Sequence, residues 1–289
     1  MAIDAMLGGA VSYLESCPGV SKIKIGTTRA PSSLHAITQW EAAAAKAVMQ
    51  DTGIARSITM PQDLKALYDV SDGFSFQWSA KFPRITDGRQ KTNNTEACIL
   101  GDIHVNGIDG LIHIPCQYSP NRKHKTQQYD NLLRGWKLPP GPVFVLHNVI
   151  HHGKVCLVYP VSESGEQLVR DVCSAEVWFQ TAKSGEWYFL SETFSGYFRL
   201  AVLHLGICGW QLLLTDQGVP QYILDWISFY SPAAAAVMRT VRVEGAADKE
   251  QGNKAANDLW RKKQLEEANG ANDAFDCDTI MQLLHIAKS

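Results

Sequence analysis

Thr59–Phe82 reads TMPQDLKALYDVSDGFSFQWSAKF, a helix, its stop and a strand in one run. Thr59 is placed to cap the helix. Pro61 falls near its first position, where a missing N–H costs nothing. Asp63 lies in the first turn, at the positive end of the helix dipole. Leu64, Leu67 and Tyr68 recur at helical spacing, and Asp72-Gly73 supplies a stop, because glycine accepts the left-handed backbone that closes a helix. From Phe74 the period changes to two. Phe74, Phe76, Trp78, Ala80 and Phe82 point one way, and Ser75, Gln77, Ser79 and Lys81 the other, which predicts a strand with one buried and one wet face. The expected unit is a short helix folded onto the first strand of an antiparallel sheet.

Working outward, residues 2–16 suit an amphipathic helix that ends before Pro18-Gly19, and Val20, Ile23 and Ile25 suggest a short strand. Ser32 or Ser33 can cap a helix through Trp40 and the Ala-rich run to Gly53. Beyond the polar 83–94 loop, Ile99, Ile103 and Val105 predict a strand. PVFVLHNV (142–149) and GKVCLVYP (153–160) predict a hairpin with Gly153 free to take positive φ. Short strands follow at Glu176–Gln180 and Trp187–Leu190. Ser191 then caps a helix with a stripe of Phe194, Tyr197, Phe198, Ala201, Val202 and Leu205, ended by Gly206 and Gly209. A shorter helix, 220–230, carries Tyr222, Trp226, Phe229 and Tyr230. Thirteen of the 27 aromatics fall between Trp178 and Tyr230, so this region is expected to hold the sheet against its helices. Strands and helices are grouped and do not alternate, which gives an α+β fold with an antiparallel sheet covered by helices. The domain is read as residues 1–232, with an irregular insertion at 106–141, and residues 233–289 as a charged, Ala-rich helical tail.

Of 289 residues, 45% are hydrophobic and 19% charged, and the net charge is −2. That balance gives no reason to expect nucleic acid or an anionic membrane as partner. The N-terminus reads poorly as a secretory signal, no apolar run has the ~20 residues that span a bilayer, and seven scattered cysteines suit reduced, structural thiols. The sequence lacks a nucleophile elbow, a dinucleotide loop and a P-loop. His147, His151, His152 and Cys156 lack the paired spacing of a zinc site and read as polar turn histidines. Asp63, Asp72, Glu176 and Glu192 read as caps and turns. Asn93-Asn94-Thr95 reads as loop, and Trp78 and Trp178 as core. No catalytic residue, cofactor or metal site is expected. Candidate interface residues are Arg122, Lys123 and Lys125 in the basic NRKHK run, and Trp260, Ile280, Met281 and Leu284 as apolar anchors in the tail.

The Met-Pro-x-Asp helix, the Asp-Gly-Phe break and the strand bearing Trp resemble the SUKH superfamily of α+β domains, carried by Pro61, Asp63, Asp72, Gly73 and Trp78. A closer resemblance is to the family of non-catalytic second subunits of tubulin polyglutamylase complexes. It rests on ESCPGV (15–20), ITQWE (37–41), the 59–82 stretch, GKVCLVY (153–159), and AEVWF (175–179) continuing to VPQYILDWISFYSP (219–232). The resemblance implies a scaffolding or targeting subunit. Its partners would be a tubulin-tyrosine-ligase-like catalytic subunit, other complex members and tubulin or microtubules. It would act in the cytoplasm and cytoskeleton, at ciliary or flagellar axonemes or basal bodies. The alternative is a structural axonemal protein that uses the SUKH-like domain as a protein-binding module among axonemal proteins. The family's tails are basic, whereas 233–289 holds eight Lys/Arg against nine Asp/Glu, which does not suit an electrostatic tether to acidic tubulin through this segment.

Removing residues 275–289 is expected to weaken partner binding while leaving the thermal unfolding transition in place. A collapse of that transition would make the segment part of the core.

Overall fold

The computed structural model describes residues 3–27, 30–81, 97–115, 135–161, 175–232 and 234–235. The tail apart from 234–235, the NRKHK run, the glycosylation-like triplet and all seven candidate interface residues lie outside them.

Helix α1 (Ile3–Ser16) leads into strand β1 (Val20–Thr27). Helix α2 (Leu34–Thr52) is capped by the Ser33 hydroxyl, which accepts the Ala36 N–H, and closed by Gly53 at φ 69°. Helix α3 (Gln62–Tyr68) and strands β2 (Phe74–Lys81) and β3 (Ala97–Val105) follow. Next come β4 (His113–Ile114), β5 (Val143–Val149), β6 (Gly153–Val158), β7 (Glu176–Thr181) and β8 (Trp187–Ser191). Helices α4 (Phe194–Leu203) and α5 (Gln221–Tyr230) close the described chain. The fold is α+β, with antiparallel strands in two sheets: β1-β2-β3 and β4-β5-β6-β7-β8.

Alternation in β2 survives intact, with buried and half-buried residues taking turns from Phe74 to Ala80. The strand is not the first of its sheet, however. It lies in the centre, between β1 and β3, which explains why its inward residues are the largest in the run. The five-stranded sheet is covered on both faces. Phe144, Leu146, Val155, Leu157, Val177, Phe179 and Leu190 face the main core. On the opposite face Val143, Val145, Cys156, Val158, Trp178, Trp187 and Phe189 form a second cluster, closed by Ile114 and Trp136. Trp136 belongs to the predicted insertion, so its exit end serves as a cover for the sheet, with its backbone paired to Trp187.

Several caps differ from the sequence reading. Pro61, and not Thr59, occupies the α3 N-cap, without a side-chain hydrogen bond. Its missing N–H and fixed φ suit the entry, and Thr59 is one turn too early. Helix α3 ends at Tyr68, and Asp72-Gly73 instead turns the chain into β2, with Gly73 at φ 93°. Thr193, not Ser191, caps α4 by accepting the Gly196 N–H, because Ser191 is still the last residue of β8. The 3-10 segment Trp210–Leu214 was not foreseen.

Gly101 sits directly against the Trp78 indole: a Cβ there would lie 1.8 Å from Trp78 Nε1. Gly101→Ala is therefore expected to displace the tryptophan and lower stability by about 1–3 kcal/mol, read as a lower urea midpoint at unchanged slope.

Candidate functional site

The signature residues Pro61, Asp63, Asp72, Gly73 and Trp78 converge on structural tasks, and three of them reach far along the chain. Asp63 Oδ2 accepts the Ser195 N–H at 2.7 Å, so the first-turn carboxylate of α3 also caps α4, whose opening N–H groups lack helical partners. Asp72 Oδ1 accepts the Ile108 N–H at 2.7 Å, at the start of the 3-10 turn Ile108–Gly110. Trp78 is fully buried. Its Nε1–H donates to the Leu205 carbonyl at 2.7 Å, and its ring meets Tyr230 edge-on at 4.8 Å. Sequence reading identified these residues but not their hydrogen-bond partners, which lie up to 132 positions away.

The histidines are arranged only in part as expected. His151, at φ 64°, and His152 are turn residues, as read, the second half-buried. His147 is a strand residue, 3% exposed, with Nδ1 hydrogen-bonded to the His104 carbonyl at 2.9 Å. Burial holds its pKa down to about 4, against the opposing pull of Asp102. The reason is register: a β-bulge between Val145 and His147 turns the ring toward β3. His204, also fully buried and stacked on Trp210 at 4.7 Å, is likewise held down to about 4 by burial. Glu176 was read as a cap or turn residue, yet it lies in β7, buried, and accepts the Trp178 Nε1–H at 2.9 Å. Asp102, His147, Cys208 and Gln211 line a small pocket of about 10 Å³, on the scale of one water and too small for a substrate. Burial raises the Cys208 thiol to about 11, the wrong direction for a nucleophile. Among the described residues no group of three or more His, Cys, Asp or Glu is placed to hold a metal ion, and no helix is long and apolar enough to cross a membrane.

The outer surface is more informative. Helix α5 buries Ile223, Ile227 and Tyr230, an i, i+4, i+7 face. Tyr222 and Phe229, which were expected to help hold the sheet, are instead 51% and 56% exposed, with Trp226 half-buried between them. At 100° per residue these three form the second, outward face. A sequence reading that counted aromatics without projecting them on the helix could not separate the two.

Comparison with known proteins agrees with the motif reading. The chain is 29% identical over 242 residues to a protein named tubulin polyglutamylase complex subunit 2 from Mus musculus, covering 80% of this chain and 72% of that one. The protein of the same name from Homo sapiens is 29% identical over 241 residues, covering 80% and 70%. The chain is thus similar to tubulin polyglutamylase complex subunit 2 proteins over most of its length. A Rattus norvegicus subunit 2 matches to the same extent as the mouse one. No protein-family model and no solved structure matches, so the SUKH resemblance rests on the motif residues themselves. With 80% of the chain aligned to subunit 2 proteins, the match extends well beyond the 59–82 stretch.

Because His147 and His204 are neutral when folded and protonate freely when unfolded near pH 6.5, the unfolded chain binds more protons below that pH. Their contribution is intact above pH 6.5 and is lost as pH falls from there toward 4. His147→Asn is expected to flatten the decline of urea stability across that window relative to the parent chain.

Proposed function

We propose that this chain is a non-catalytic subunit of a tubulin polyglutamylase complex, a scaffold that holds or positions a separate ligase. The observation that carries this reading is the match to subunit 2 proteins across 80% of the chain. Two physical features support the non-catalytic part. The carboxylates of Asp63, Asp72 and Glu176 cap or cross-link the fold. The sequence also lacks the phosphate-cradling motifs that an ATP-dependent ligase of the familiar types carries. The outward aromatic face of α5 is the kind of surface that protein partners use, since aromatics supply large contact area with few rotatable bonds.

In this reading a tubulin-tyrosine-ligase-like chain adds the glutamates, the partner complex associates with tubulin or microtubules, and the setting is the cytoskeleton, with cilia, flagella or basal bodies as its location. Native co-purification of the tagged chain from ciliated or flagellated cells tests it. The expected result is recovery of a tubulin-tyrosine-ligase-like enzyme in near-equal amount, with tubulin glutamylation lowered when the chain is removed. Recovery only with salt-resistant axonemal components, and unchanged glutamylation, would replace it by the structural axonemal role.

A further inference from the structure

The three-stranded sheet has one closed side and one open side. Beyond β3, residues 206–208 extend the pairing: the Asp102 N–H donates to the Gly206 carbonyl and the Cys208 N–H to the Leu100 carbonyl, both at 2.8 Å. On the other side, β1 pairs among the described residues with β2 alone. Ser21, Lys22, Lys24 and Ile25 are exposed along it; helix α1 touches β1 on its core side, but no described strand pairs with its outer edge. Alternate residues of an antiparallel edge strand turn their N–H and C=O groups outward. Past the irregularity between Val20 and Lys22, the regularly paired residues Lys22–Thr27 of β1 therefore offer a backbone template.

Register decides what the template favours. Lys22 lies opposite Ser79 and Lys24 opposite Gln77, on the sheet face turned away from the core, where Lys81 also lies at the end of β2. The carboxylate on that face is Asp102, opposite Gln77 on β3 and accepting its amide N–H at 3.3 Å. It stands two strand spacings from β1, roughly 10 Å, with β2 between. His104, opposite Ser75, shares the β3 side of the face. Positive charge is thus concentrated at the open edge and negative charge set back from it. The opposite face of β1 carries Ile23, half-buried, and Ile25, exposed.

We propose that β1 is a docking edge for an extended acidic peptide of another protein, which adds as a fourth strand and brings its carboxylates to Lys22 and Lys24. Backbone bonds supply the attachment, and alternating side chains supply the selection. Acidic residues fit at every second position and apolar residues between them, against Ile23 and Ile25. A second copy of β1 would set lysine against lysine, and like charges across a strand pair repel. The same two lysines that keep copies of this chain apart therefore select for acid. The inference rests on the register and charges of β1, not on membership of any complex.

The test uses the full chain alone. Binding is measured by fluorescence anisotropy with a labelled peptide alternating Glu and Val, against the same peptide with Gln at each Glu, and amide hydrogen exchange is followed in β1. Expected are at least tenfold tighter binding of the Glu peptide and new protection of alternate β1 amides on binding. Lys22→Glu with Lys24→Glu should weaken binding roughly tenfold or more, since two attractions become two repulsions, with the thermal transition unchanged. Lys183→Glu, an exposed lysine in the β7–β8 turn, should leave binding nearly unaltered. Equal binding of the two peptides, equal loss with Lys183→Glu, or binding without β1 protection would overturn the proposal. So would β1 amides already protected in the free chain: protection independent of concentration would give the edge to this chain's own segments, and protection rising with concentration would give it to a second copy.

Discussion

Trp78 Nε1 donates to the backbone carbonyl of Leu205, and much of the domain is arranged around that contact. Leu205 has φ 53°, a left-handed conformation that costs a residue with a Cβ on the order of 1 kcal/mol. The next residue, Gly206, continues at φ 64° and hands its carbonyl to β3. The turn that follows α4 is thus bent away from its helix and bound to the sheet at consecutive carbonyls. Gly101 makes room for the indole on one side and Tyr230 of α5 closes it on another. A buried carbonyl that lost its donor would cost about 1–3 kcal/mol, so the indole N–H contributes as much through what it satisfies as through the area it buries.

The two aspartates of the same stretch repeat this pattern. Asp63 satisfies an N–H at the start of α4, and Asp72 one at the 3-10 turn beyond β3. Tyrosine hydroxyls add three more long ties: Tyr68 to Asn106, Tyr159 to Thr59, and Tyr230 to Pro18. Each joins a side chain to a backbone carbonyl distant in sequence, so orphan groups at the ends of elements are satisfied by residues from other elements. Polar atoms used in this way are not available for chemistry. Among the described residues, the groups left for other chains lie at the surface, in the outer edge of β1 and the outward aromatics of α5. A subunit that binds other chains has use for that distribution.

Local pattern was enough for element type. Period two in β2, the Ser33 and Gly53 limits of α2, the 142–160 hairpin, and the buried stripe of α4 all depend on interactions within a few residues, which the sequence displays directly. The grouping of strands apart from helices was enough for the α+β class and for antiparallel pairing. Composition and missing motifs pointed away from nucleotide chemistry, and five motif segments in order pointed to the same proteins that the comparisons find similar.

What remained hidden was everything set by packing between distant elements. That β2 is central, that the strands divide into two sheets, and that His147 faces β3 and not solvent all follow from register and bulges. A one-residue shift reverses every side chain of a strand, and nothing in the local sequence records which shift occurs. The two faces of α5 were legible in principle from its 100° step, but only the sheet beneath it decides which face is inside. The sequence alone therefore determined which elements form and which residues mark them. Tertiary structure decided their partners and the surfaces left open, because those are settled by contacts across a hundred or more residues.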